Sequence, residues 1–67
     1  MLNDKQRMIV LAFADNDMSL TKTASAVYYS AANIAHYLRR IAMLTGLDPK
    51  RFYDLVELVR KIKEGKL

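Results

Sequence analysis

The sequence predicts an all-α domain, a four-helix short helical bundle that contains a helix-turn-helix. Three observations carry this. Apolar residues recur at helical spacing in four stretches of the chain. Fifty-two per cent apolar residues with two Gly and one Pro suit a folded, mostly helical chain rather than a disordered one. Only Tyr28, Tyr29 and Ser30 separate a short second helix from a longer third one, which is the outline of a helix-turn-helix. The whole chain, 1–67, reads as one domain, since 67 residues is under half of the roughly 150 that one domain takes. Such a short chain buries about 60% of its unfolded surface, so its core is thin. It has no cysteine to staple that core.

The first helix is expected from about Lys5 to Ala14, with Asn3 or Asp4 as N-cap and Ile9, Ala12 and Phe13 inward. Asp15-Asn16-Asp17 breaks it, with the asparagine suited to the left-handed closing position. Ser19 caps a second helix, Leu20 to about Val27, which buries Leu20, Ala24 and Val27. In the turn that follows, one tyrosine is expected buried and the other partly exposed, with Tyr29 the more buried of Tyr28 and Tyr29.

Ser30 caps the third helix, Ala31 to about Thr45, so the helix-turn-helix occupies about 20–45. Ile34, Leu38, Ile41 and Thr45 form its core stripe, flanked by Tyr37 and Leu44. Gly46 fits the left-handed residue that ends it. Asp48 as N-cap and Pro49 at the first helical position restart the chain as a C-terminal helix over about 49–64. Phe52, Leu55, Val56, Val59 and Ile62 are read as its buried stripe, widened by Leu58.

Charge says where a partner is expected. The net charge is +4, which favours an anionic partner. Ser19 to Arg51 holds five basic residues (Lys22, Arg39, Arg40, Lys50, Arg51) against one acidic residue, Asp48. The remaining residues balance six basic with six acidic side chains, so the whole excess lies in the middle. With Ile34, Leu38 and Ile41 inward, Ala32, His36, Arg39 and Met43 fall on the opposite face of the third helix, with Asn33 and Arg40 on one shoulder.

That face suits double-stranded DNA. The second helix of a helix-turn-helix enters the major groove with its N-terminal residues at the base edges. Asn33 can pair with adenine, Arg39 or Arg40 with guanine, and Ala32 can touch a thymine methyl. His36 is a candidate base or phosphate contact. Ser30 and the helix start suit a phosphate oxygen, and Lys22, Lys50 and Arg51 the flanking backbone.

No catalytic centre, cofactor or metal is expected. One His and no Cys give no nucleophile–base pair, and Ser30 is explained as a cap. Asp15-x-Asp17-x-Ser19 begins like a calcium loop but has Leu20 and Ala26 where Gly and Glu belong. With only Gly46 and Gly65, there is no Gly-rich phosphate loop. No apolar run approaches the roughly 18 residues of a membrane span, and the polar start Met1–Arg7 is unlike a secretion signal. A cytosolic protein is expected.

Thr23-Ala24-Ser25-Ala26-Val27, and then Ser30 through Asp48, resemble the C-terminal domain of the PucR/CdaR group of bacterial transcription regulators, a Fis-like helix-turn-helix unit. The family pattern runs roughly T-A-x-x-L-x-x-H-R-N-T-L-x-Y-R-L-x-R-I-x-x-L-T-G-x-D. The chain threads onto it without a gap from Thr23 to Asp48, best at Leu38-x-Arg40-Ile41-x-x-Leu44-Thr45-Gly46. The resemblance implies sequence-specific DNA binding by a transcriptional regulator of the bacterial cytosol, associated with the nucleoid when bound, with Arg40 on a family position. The family's His-Arg-Asn-Thr is here Ser30-Ala31-Ala32-Asn33, and a family Arg is here Tyr37, which joins the candidate DNA contacts. Either the domain reads a different sequence or its binding has changed.

Family members carry an N-terminal sensor domain, so the chain is expected to be an excised domain or a free-standing small regulator of the kind phages encode. A homodimer is expected, because one unit reads few base pairs and two recognition helices about 34 Å apart read one DNA face. Leu55, Leu58 and Ile62 are the candidate dimer contacts. The rival reading is a helix-turn-helix-fold module that binds a transcription protein, with no DNA binding of its own.

Overall fold

The computed structural model describes residues 1–67 as four helices and no strand: α1 (Asp4–Asp15), α2 (Leu20–Val27), α3 (Ala31–Thr45) and α4 (Phe52–Lys63). Helix α1 is the hub and packs against each of the other three, α2 packs on α3, and the backbone of α4 approaches α1 alone. Ten buried apolar side chains form one core: Leu2, Ile9, Val10, Phe13, Ala24, Ile34, Leu38, Ile41, Leu55 and Leu58.

Local chemistry sets the ends of the first three helices. Asn3 caps α1 through a reciprocal pair: its Oδ1 accepts from the Gln6 N–H at 2.8 Å, and Gln6 Oε1 accepts from the Asn3 N–H at 2.9 Å. Ser19 and Ser30 cap α2 and α3, each Oγ accepting a backbone N–H at 3.1 Å, from Lys22 and Asn33. Gly46 closes α3 at φ 76°, as expected. Thr45 half-belongs to the core stripe and also pins that end, its hydroxyl donating to the Ile41 carbonyl at 2.8 Å.

Other ends differ from expectation. The left-handed residues after α1 are Asp17 (φ 57°) and Met18 (φ 59°), not Asn16 (φ −108°). The Asn16 side-chain amide instead donates to the Ala12 carbonyl at 2.7 Å, and the Met18 N–H reaches the Phe13 carbonyl at 2.9 Å to close the helix. In α2 the buried residues are Thr23 and Ala24, while Leu20 and Val27 are half-buried. Thr23 is tolerated inside because its hydroxyl donates to the Ser19 carbonyl at 2.6 Å.

The largest correction falls on α4. It begins at Phe52, not at Pro49. Asp48 makes a turn instead of a cap: its Oδ1 accepts the Lys50 N–H at 3.0 Å and its carbonyl accepts the Arg51 N–H at 2.9 Å. Pro49 is buried within that turn, and Arg51 stands at the N-cap with no side-chain bond to the helix. The stripe is also narrower than expected. Leu55 and Leu58 are buried, Val59 and Ile62 are half-buried, and Phe52 and Val56 are 60% and 49% exposed. With α1 as its only neighbour, α4 has cover for one row of side chains, not two.

Arg7 ties the chain ends together, donating to the carbonyls of Leu2 and, at 3.1 Å, Leu67, and pairing with Asp4. No helix is long and apolar enough to cross a membrane.

Candidate functional site

The outer face of α3 is built as its periodicity requires. Ile34, Leu38 and Ile41 are buried at i, i+4 and i+7, which turns Ala32, Asn33, His36, Arg39 and Arg40 outward, and all five are exposed. Asn33, His36 and Arg40 lie in one row at i, i+3 and i+7, and Ala32 and Arg39 in the next. The helix contains no acidic residue, and neither arginine joins an ion pair. Two guanidinium groups thus stand in solvent beside an amide and an imidazole. No ion pair takes up the charge on that row, and its side chains face solvent.

Just before this face the backbone takes an unusual path. Tyr28 closes α2 in the left-handed region at φ 62°, and the Tyr29 N–H reaches the Ala24 carbonyl at 2.9 Å. A bulky residue takes that conformation at a cost of about 1–2 kcal/mol. The turn brings Tyr29 under the fold and leaves Tyr28 93% exposed, the order expected of the two.

Tyr37 is corrected by the same geometry. It is half-buried and stacked on Tyr29, with ring centroids 6.0 Å apart and planes 19° from parallel. The Lys5 ammonium from α1 sits 5.7 Å from the centre of the Tyr29 ring. Tyr29, with Tyr37 behind it, raises the Lys5 pKa above its ordinary 10.5. This stack fastens α1 to α3, so Tyr37 belongs to the wall of the fold rather than to its reading face.

The remaining candidates fall into separate groups. Ser30 sits at the N-terminal end of α3, with its Oγ taken up by the cap. Lys22 is exposed on α2, within 3.9 Å of Asp17. Lys50 and Arg51 are exposed in the turn after α3, beyond the far end of a 15-residue helix that is about 22 Å long. Basic groups therefore follow the row of Asn33, His36 and Arg40 beyond its C-terminal end, while Lys22 stands on α2 beside Asp17. The C-terminal end of the same helix turns apolar, with Met43 83% and Leu44 51% exposed.

Leu55 and Leu58 are corrected as dimer contacts: at 4% and 0% exposure they face the core of their own protomer, with Ile62 packed beside it. The exposed apolar side of α4 is Phe52, Tyr53 and Val56. Together with Ala14, Asp17 and Met18 from the end of α1, and Leu55 and Val59, the residues Phe52 and Val56 line a groove of about 460 Å³. The signal for it was the i, i+4, i+7 spacing of Phe52, Val56 and Val59, read from sequence as core. No group of three or more His, Cys, Asp or Glu side chains is placed to hold a metal ion.

Compared with protein-family models, with curated proteins and with solved structures, the chain finds no match.

Proposed function

We propose that the chain binds double-stranded DNA in a sequence-dependent way and acts as a small transcriptional regulator. The observation that carries the reading is the outer row of α3: Asn33, His36, Arg39 and Arg40 are exposed, on a helix free of carboxylates, with no ion pair to hold the arginines. In this reading α3 lies in the major groove with Asn33 against adenine and an arginine against guanine. Ala32 is small enough to let the helix approach a thymine methyl. The start of α3 meets a phosphate, and Lys22, Lys50 and Arg51 meet the flanking backbone. Tyr37 has no part in it.

Selection of bound duplexes from a random DNA pool supplies the preferred site, and titration of that site tests the residues. Removing two bidentate contacts at about 1–3 kcal/mol each makes the double variant Asn33→Ala, Arg40→Ala bind at least about 30-fold more weakly. Both residues are exposed, so far-ultraviolet circular dichroism stays unchanged. Unchanged affinity in the double variant removes α3 as the reading helix.

Met43 and Leu44 favour a second reading, in which α3 presents its C-terminal end to a transcription protein instead of DNA. Salt separates the two. Six phosphate contacts lose about 10³ in affinity or more between roughly 50 and 200 mM salt, whereas an apolar contact barely responds.

A further inference from the structure

The groove between the end of α1 and the outer side of α4 is lined almost entirely by apolar side chains and stands open to solvent. Its lining comes from Ala14, Asp17 and Met18 on one side and from Phe52, Leu55, Val56 and Val59 on the other, with nothing from α2 or α3. Met18 is held there in the left-handed region, at φ 59°, which side-chain-bearing residues adopt only at a cost. Beside the groove stands a knob. Tyr53 is 83% exposed and packs its ring edge-on against Phe52, centroids 5.3 Å apart and planes at 75°.

We infer that this face pairs with the same face of a second copy of the chain, the two α4 helices running antiparallel across a two-fold axis. Two observations select a second copy over any other occupant. The first is shape: a two-fold interface sets one patch against itself, and the exposed Val56, with Val59 a turn further on, borders the groove at the centre of the patch, where each copy offers the other the same ridge and recess. The second is charge. Phe52, Val56, Val59 and Lys63 follow one another along the seam at i, i+4, i+7 and i+11. Asp17 lies at the Phe52 end, 88% exposed and within only 3.9 Å of Lys22. Lys63, at the other end, is exposed and in no ion pair.

Antiparallel overlap sets Val56 against the partner's Val59. It lays Phe52 under the stem of the partner's Lys63, whose ammonium then meets Asp17. The same contact forms again across the axis. Parallel pairing brings lysine to lysine and aspartate to aspartate, so charge fixes the direction. One face of a 12-residue helix offers less than the about 800 Å² per partner of a standard interface, so the dimer is weak and concentration governs it. The seam leaves the outer face of α3 free and does not rest on the DNA reading.

Sedimentation equilibrium of the full chain over a concentration series tests the pairing. The expected result is a monomer–dimer equilibrium that Val56→Glu weakens at least tenfold, with helix content unchanged because Val56 is half-exposed. Lys63→Glu sets a carboxylate against Asp17 and weakens association by about fivefold, the weight of one rim pair turned repulsive. Adding Asp17→Asn to Lys63→Glu recovers part of that loss, and asparagine keeps the left-handed turn. A chain that stays monomeric at every concentration overturns the proposal and leaves the groove to a partner of different sequence. Dimers indifferent to Val56→Glu, or to Lys63→Glu, overturn the seam as drawn. Neither result bears on DNA affinity at the outer face of α3.

Discussion

Helices α3 and α4 both carry an apolar stripe, and they differ in how much of it the fold covers. Against α3 stand both α1 and α2, so Ile34, Leu38 and Ile41 are buried and the opposite face is polar around Asn33, His36 and Arg40, turning apolar at its C-terminal end with Met43 and Leu44. Against α4 stands α1 alone, so Leu55 and Leu58 are buried while Phe52 and Val56, one row over, face solvent. The ends differ too. Helix α3 has Ser30 as a side-chain cap and Gly46 as its close, whereas α4 starts at Arg51 with no cap bond. A helix with two neighbours sorts its residues into inside and outside. One with a single neighbour leaves uncovered apolar residues along its length as well, where α3 has them only at Met43 and Leu44 near its end, and that row borders the groove.

The comparison breaks first if the two buried rows are unequal. Leu38 and Leu58 are 1% and 0% exposed, so truncation to alanine is expected to cost each about the same, roughly 2–5 kcal/mol in urea unfolding. A domain of this size holds only about 3–10 kcal/mol in all, so either variant leaves a sizeable unfolded fraction. The Leu58→Ala loss is expected to persist in the Val56→Glu background, where association is removed. A loss under about 1 kcal/mol there makes Leu58 a contact residue after all and collapses the distinction between the two rows of α4.

Most of the fold could be read from local chemistry. Ser19, Ser30 and Gly46 act on backbone groups one to four residues away, so the spans of α2 and α3 followed from sequence without any partner. The outward turn of Ala32, Asn33, His36, Arg39 and Arg40 followed as well, because the stripe of α3 is narrow enough to have one orientation. What local chemistry cannot supply is the number of neighbours. Phe52, Val56 and Val59 have the spacing of a core stripe, and only the isolation of α4 on α1 leaves them outside. Asp48-Pro49 has the form of a helix start, yet the Asp48 carboxylate is spent on the Lys50 N–H and Pro49 is buried in the turn. Tyr37 lies at the border between the faces of α3, where the stack with Tyr29 decides and periodicity does not.

The capped and uncapped helices give the next effect down. Ser30→Ala removes the hydroxyl that accepts the Asn33 N–H and is expected to cost about 1 kcal/mol. Arg51→Ser supplies α4 with the cap it lacks and is expected to add stability, about 0.5–1 kcal/mol. Opposite signs from two changes at the same structural position sharpen the contrast between the helices. A destabilising Arg51→Ser in thermal unfolding means that the Arg51 side chain holds the turn in some other way.

The smallest effect belongs to the surface of α4. Arg60 holds the Glu57 carboxylate below its ordinary 4.5 by hydrogen bonding, against some desolvation, while Glu57 and Glu64 together raise the Arg60 guanidinium further from neutrality. A carboxyl whose pKa is lower in the folded state than in the unfolded one adds stability above its unfolded value. That stability is lost as the pH falls through the folded value. Wild type is therefore expected to melt slightly above Glu57→Gln at neutral pH, and the two curves to converge below roughly pH 4.5. The gap stays small because the pair is solvent-exposed and screened by salt. It is expected to be the same in the Val56→Glu background, since Glu57 and Arg60 are joined within one helix. A gap that widens only where the chain associates places these charges in the seam itself, and Lys63 then loses its standing as the residue that sets the direction of pairing.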